Sequence, residues 1–446
     1  MTKNIEKYLN AQKVDISDWE KIASSTLKNM TLKDLNKKID KDLSIKPLYT
    51  SNDEEDDYSH SSRRGLKANK NDFMPWFICT TVDHHKDPKI LNNRILGELE
   101  RGSNSVELSC FEENTLDLIL NKIDLSIAPI FIRNINYSRE NFFNFAKFIK
   151  ENKNKEIICN YQIDPFASNL WLEEFSKNNT SHEKLSYEDI LKYHNEFNSE
   201  FKNINLIHLD GSLWNDLGAN TSEEIELLCL SFLEIIKDFN NKNNKKFSLS
   251  ITLAADTDFF TSIAKIRAAR IIFGNIFKSH KLNCSLSITS RSSSNILFEK
   301  DPWVNQLRIT TAALASAIGG SNRIICNNIT QKLGQAPDFI RRLTRNTHII
   351  LQEESRISRV QDPSGGSFYI ENLTNNIAKM TWKKLQLNES NGGILSLISS
   401  KKFRQNLKNS RDNFKKNIKE QKLIKVGENS YEDPDSNPIN VKPFEG

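Results

Sequence analysis

Few shortages in this chain of 446 residues are extreme, but each one excludes something. The six cysteines, Cys79, Cys110, Cys159, Cys229, Cys284 and Cys326, form no C-x-x-C pair. Zinc-ribbon and thioredoxin-type chemistry is therefore not indicated. Several of them sit in apolar, strand-like runs, which points to buried, inert thiols in a reducing compartment. No apolar run reaches the ~20 residues that span a bilayer, and the opening MTKNIEKYLNAQ has no secretory h-region. Acidic residues near the start argue against a mitochondrial transit peptide, so a cytoplasmic location is expected. Charge of one sign is also lacking: 62 Lys and Arg face 57 Asp and Glu, a net +5. That balance, without an aromatic-basic motif, gives no case for nucleic acid. The one basic stretch, Lys401–Lys425, has ten basic and two acidic residues and reads as a solvated amphipathic helix rather than a membrane or nucleic-acid patch.

What is present is a regular alternation that begins near Pro75. Strand-like runs occur at Trp76–Asp83, Ser105–Cys110, Ile130–Arg133, Ile157–Gln162, Asn205–Ser212, Phe247–Ala254, Ser285–Ser290 and Arg323–Asn327. Helix-like stretches lie between them, among them Asn141–Lys150, Ser222–Lys237, Phe259–Phe277 and Asn305–Ile318. Eight β-then-α units predict a (β/α)8 TIM barrel of the α/β class. The expected organisation is an N-terminal helical extension and linker at 1–70, the barrel at 71–375, and C-terminal helices with an extended tail at 376–446. Polar helices around Trp19, Ile22 and Leu27 fill the extension. The charge blocks Asp53–Asp57 and Ser61–Lys70 read as solvated linker, and residues 176–190 as a polar insertion.

Two strands carry small hydroxyl residues on one face: Ser248, Ser250 and Thr252, and Ser285, Ser287 and Thr289. Strands covered by helices are usually apolar on both faces. Their leucines and isoleucines should meet the helices, leaving the hydroxyls toward the axis. Such an interior is either a hydrated, ligand-sized channel or a filled core in which Ser and Thr bond to neighbours.

The most informative stretch is Arg345–Thr374, RNTHIILQEESRISRVQDPSGGSFYIENLT. Asp362-Pro363-Ser364-Gly365-Gly366-Ser367 predicts a tight turn. A helix follows, with Thr374 as its expected N-cap and Ile377, Met380 and Leu385 on its apolar face. The runs N-T-x-x-x-L-x-E-E-S and V-x-D-P-x-G-G-S-x-Y-x-E-x-L-T resemble the end of the barrel domain of methylmalonyl-CoA mutases. Asp164-Pro165-Phe166-Ala167, Ile263–Arg270, Asp301–Asn305, Thr310–Leu314 and Gly319-Gly320 are similar to further motifs of that family. The resemblance runs from Trp19 to about Tyr431 and is nearest to the small (beta) subunit of the heterodimeric enzyme. It implies that the N-terminal segment contacts a partner, and that the barrel axis is where the family threads the pantetheine arm of coenzyme A.

The same resemblance implies a loss of chemistry. Catalytic members read I-S-G-Y-H-M-Q-E-A-G-A where this chain reads Leu209–Ala219. Ser212 stands at their tyrosine and Leu213 at the histidine that bonds the thioester carbonyl and acts as an acid. Leucine offers neither proton nor donor. Their R-P-W-T-I-R-Q-Y is here Met74–Thr81, so Met74 and Cys79 replace two arginines and Thr81 replaces the tyrosine that drives adenosyl release. The D-x-H-x-x-G of the family's cobalamin-binding domain is absent from this sequence. Asp83-His84-His85 follows the first strand and is either an acid–base or metal group or a polar βα loop. The implied function is a non-catalytic small subunit of adenosylcobalamin-dependent methylmalonyl-CoA mutase. Cofactor and catalysis would reside on a large (alpha) subunit, with no catalytic, cofactor or metal residue on this chain. Two alternatives stand: a barrel acting on another acyl-CoA with cobalamin on a separate chain, and an acyl-CoA-binding module without turnover.

Overall fold

A computed structural model describes residues 15–27, 30–38, 43–53, 76–109, 111, 115–133, 135, 138–176, 187–201, 203–237, 247–360, 362–435 and 438–444. The linker at 61–70, Met74-Pro75, Cys110 and most of the polar insertion lie outside them. The chain forms two compact units, Met1–Glu55 and Asp56–Gly446.

In the first unit, helix Ile16–Thr26 follows Asp15 and buries none of its residues. Trp19 is half-buried and Ile22 is 64% exposed. A 3-10 turn at Leu32–Leu35 is closed by a capping box, in which Asp34 accepts from the Thr31 N–H at 2.6 Å. A two-residue antiparallel ladder pairs Lys37–Lys38 with Ser44–Ile45.

The second unit is an eight-stranded parallel barrel. Its strands are β1 (Phe77–Val82), β2 (Ser105–Leu108), β3 (Ile130–Arg133), β4 (Cys159–Gln162), β5 (His208–Asp210), β6 (Phe247–Ala255), β7 (Cys284–Ser292) and β8 (Arg323–Ile325). All eight expected strands and the four named helices are present. The ladder runs β4-β3-β2-β1-β8-β7-β6-β5, leaving one seam between β4 and β5. Side chains cross it: Asn160 Oδ1 accepts from Asn205 N at 2.6 Å, and Asp164 Oδ2 from Asp210 N at 2.8 Å.

Helices begin where the sequence supplies caps. Asp87-Pro88 and Asp164-Pro165 each place an acceptor and then a residue with no N–H to satisfy. Asp164 Oδ1 takes the N–H groups of Phe166 and Ala167, both at 2.9 Å. The expected apolar face of β6 is covered at Leu249, Ile251 and Leu253, all at 0% exposure, and on β7 Ile288 is buried while Leu286 is half-buried.

Three boundaries differ from expectation. β5 stops at Asp210, because the Asp210 carboxylate accepts from Ser212 N at 3.0 Å and opens helix Gly211–Leu217. The basic helix is Lys401–Lys419, not 401–425. There Gln421 takes a positive φ of 55°, and the Asn429 amide donates to Ile418 O at 2.7 Å and Leu423 O at 2.8 Å, reversing the chain. Thr374 is not an N-cap. The helix is Phe368–Ser390, capped by Ser367.

Thr374 is inside that helix because a long-range partner claims it. Arg267, 1% exposed on helix Phe259–Ser279, donates to Thr374 Oγ1 at 3.3 Å, Asp362 Oδ2 at 3.0 Å and Glu371 Oε1 at 2.8 Å. Glu371 also accepts from Gly366 N at 3.1 Å. The Asp362–Ser367 turn is thus folded around a guanidinium from the I-A-K-I-R-A-A-R segment. Arg267→Met would leave two carboxylates buried without their cation. We expect a loss of about 3–5 kcal/mol in urea unfolding, against near-neutral change for the exposed Arg404→Met. Equal stability of Arg267→Met and wild type would refute the role of the clasp.

Candidate functional site at the barrel mouth

Strand pleating turns alternate residues to the axis, so β5 presents His208 and Asp210, β6 Ser250 and Thr252, and β7 Thr289 and Arg291. Short hydroxyls on β6 and β7 leave room, and long side chains from the other strands fill it. His208 meets Ser250 Oγ through Nδ1 and Thr252 Oγ1 through Nε2, both at 3.2 Å. Arg323 Nε donates to Thr289 Oγ1 at 3.0 Å, and its guanidinium lies 3.4 Å from the Phe131 ring centroid. At this level the axis is occupied. The hydroxyls of Thr252 and Thr289 bond to neighbours there, whereas toward the strand starts Ser248, Ser250 and Ser287 are half-buried and Ser285 is exposed.

Two ion pairs lie above that layer. Arg291 on β7 donates to both oxygens of Glu107 on β2, at 2.6 and 2.7 Å. Arg133 on β3 donates to Asp210 Oδ2 from Nε at 2.9 Å and reaches Ser212 Oγ at 3.2 Å. Ser212 Oγ in turn donates to Asp210 Oδ1 at 2.5 Å. Gln162, with its amide oxygen toward Arg323, links Arg323 and Glu107 at 2.5 and 3.3 Å. Burial alone would raise the Asp210 carboxyl, but the Arg133 and Arg291 charges and the Ser212 hydroxyl hold it well below the usual carboxylate range. Burial drives His208 down to about 3, so it is neutral at physiological pH. Burial lifts Asp164 to about 7 against the pull of its three backbone donors.

A cavity of about 460 Å³ opens at the C-terminal mouth, the size of a small-molecule site. Arg133, Glu107 and Arg291 border it, with Thr81, His84, Trp171 and Asn327 among its walls. Of the three positions singled out by the resemblance, Thr81 lines the cavity, whereas Ser212, which accepts from Arg133, and Leu213 do not. Ser212 is 5% and Leu213 2% exposed. The glycines of that loop have packing reasons of their own. A Cβ on Gly211 would lie 2.6 Å from Thr252 O, and Gly218, at φ 111°, would meet Leu407 O at 2.3 Å.

Asp83, His84 and His85 do not converge. Asp83 Oδ2 accepts from Ala336 N at 3.0 Å, His84 borders the cavity, and His85 Nδ1 accepts from Asp87 N at 2.9 Å. Among the described residues no group of three or more His, Cys, Asp or Glu could hold a metal ion. Burial pushes the Cys79 thiol up to about 11 and Cys159 to about 12, which leaves them protonated and unreactive. Sequence reasoning passed over Glu107, Arg133, Arg291 and Arg323. The available signal was an ionisable residue inside each of the runs SVEL, IFIR, ITSRS and RII, costly in a parallel strand unless paired.

Breaking one side of the upper pair should cost more than deleting both. Glu107→Leu leaves Arg291 buried and unpaired and should lose about 3 kcal/mol. Glu107→Leu with Arg291→Met should recover most of that loss in chemical denaturation. A double variant no more stable than the single one would contradict a self-contained pair.

Residues 100–446 match the family model described as Methylmalonyl-CoA mutase. The chain is 30% identical over 205 residues to a probable methylmalonyl-CoA mutase small subunit of Mycobacterium bovis, covering 44% of this chain and 33% of that protein. It is 30% identical over 206 residues to the methylmalonyl-CoA mutase small subunit of Streptomyces virginiae, covering 45% and 33%. Against the methylmalonyl-CoA mutase of Escherichia coli it is 31% identical over 235 residues, covering 51% and 33%. The matched region spans about a third of the length of these curated relatives. The mutase family is cobalamin-dependent. A corrinoid ring is broader than a mouth cavity of about 460 Å³, and this floor is made of the Arg291–Glu107 and Arg133–Asp210 pairs, whose side chains are turned to one another. The residues present do not fit that cofactor, and no reaction step runs through it here.

Proposed function

This chain belongs to the methylmalonyl-CoA mutase family, and we propose that within it the chain is a small, non-catalytic subunit that stabilises a large catalytic one. One observation carries the reading. Where the resemblance places the family's proton-donating histidine stands Leu213, 2% exposed, next to a serine hydroxyl already engaged by Asp210 and Arg133. A buried side chain with no proton to donate cannot assist a thioester carbonyl. The small-subunit names of two relatives support the pairing. Adenosylcobalamin and the methylmalonyl-CoA/succinyl-CoA isomerisation would then belong to the large subunit, in a heterodimer.

The N-terminal segment, residues 1–70, is the proposed partner contact. A helix that buries none of its own residues and leaves Ile22 64% exposed, followed by Met30 at 52%, gains stability by lying against another surface. Buried thiols agree with a reducing, cytoplasmic setting, and no described helix is long and apolar enough to cross a membrane. The mouth cavity favours one second reading, an acyl-CoA-binding module without turnover; binding of acyl-CoA by the chain alone would select it.

Co-expression with a candidate large subunit tests the proposal. Omitting this chain should lower the yield and melting temperature of the large subunit, and Leu213→His should leave the turnover of the pair unchanged. Turnover by this chain with a separate cobalamin-binding chain, and no large subunit, would overturn it.

A further inference from the structure

The mouth has an occupant from its own chain. The segment Pro438–Phe444 returns across the loop that follows β8. Ile439 packs against the cluster that contains Trp76, Ile78, Ile324 and Ala336. Lys442 pairs with Gln335 in an antiparallel bridge, with Gln335 N donating to Lys442 O at 2.8 Å. The Gln335 side chain donates to Pro443 O at 3.1 Å and is itself held by Arg94 at 3.5 Å. Beyond that bridge, Phe444 forms part of the cavity wall while remaining 50% exposed.

The receiving loop is shaped for close main-chain approach. Gly334 has a φ of 156°, and a Cβ there would lie 2.3 Å from Lys442 O and 3.0 Å from Val441 Cγ2. Only a residue without a side chain lets the two backbones meet. Gln335 is 7% exposed, so its amide is paired within the protein and not with solvent. Main-chain pairing with a side-chain anchor at each end is how extended peptides are recognised. Here the anchors are Ile439 in the core and Phe444 at the mouth.

We propose that the loop Asn327–Gln335 and the barrel mouth form a peptide-binding groove whose occupant is the chain's own 438–444 segment, with Phe444 as its aromatic anchor. Tethering keeps that segment at a high effective concentration, so a separate peptide reaches the groove only when the segment leaves. The groove does not depend on the subunit reading above.

Two measurements on the full chain test it. In hydrogen exchange, the Gln335 amide should be protected in the wild type. Gly334→Ala should remove that protection while the β8 amides stay protected, which shows the barrel still folded. In the second, a fluorescein-labelled peptide copying residues 438–444 is titrated into wild type and Phe444→Ala. It should bind Phe444→Ala at least about tenfold more tightly, because the weakened tail competes less. Free exchange at Gln335 in the wild type would overturn the groove. So would retained protection in Gly334→Ala, or equal peptide affinity for the two proteins.

Discussion

The buried guanidinium of Arg267 holds the architecture together. It gathers Asp362, Glu371 and Thr374 from a turn and a helix roughly a hundred residues later in the chain, 95 to 107 positions away. That clasp fixes helix Phe368–Ser390 against the barrel's outer helices. A second arginine of the same segment, Arg270, bonds Gly320 O and Asn322 Oδ1 and secures the entry to β8. Nearby, Lys265 donates to Glu224 at 2.7 Å, and Glu224 accepts from Ala254 N on β6 at 2.7 Å. One helix therefore holds three buried cations, each tied to a different part of the scaffold. The segments that carry the resemblance to mutases are in large part these clasps. They specify a barrel, and they impose no chemistry at its mouth.

The interior solves a separate problem. Hydroxyl-faced β6 and β7 leave space, and burying charge in that space is tolerable only when each charge meets its opposite. Arg291 with Glu107 and Arg133 with Asp210 are such pairs, with Arg291 Nε left without a hydrogen-bond partner. Arg133 also ties β3 to β5 across the seam that no ladder closes. The same side chains that make the mouth polar thus complete the barrel. Ser212 belongs to this arrangement, which is why its hydroxyl is engaged by protein groups and not presented to a ligand.

The eight strands were legible because their apolar residues recur between turn and charge breakers. The misread points share a cause, a partner remote in sequence or a cap acting across the boundary. Thr374 looks like a cap until Arg267 is known to face it. Asp210 reads as strand and also starts the next helix. Asn429 reverses a helix whose basic composition gives no stop. The Arg291–Glu107 pair joins residues 184 positions apart, beyond any local pattern. The hydroxyl faces of β6 and β7 could be read from sequence, but what fills them depends on those distant charges. The proposed loss of a proton donor at Leu213 comes only through the resemblance, since a leucine in a buried helix is otherwise unremarked.

The most direct test is turnover of methylmalonyl-CoA by a complex of this chain with a large subunit whose own active site has been inactivated. The account predicts no succinyl-CoA above the level of the inactivated large subunit alone, with the complex still assembled. Product formation that depends on this chain would show that its barrel retains a working site, and the scaffold reading would fall.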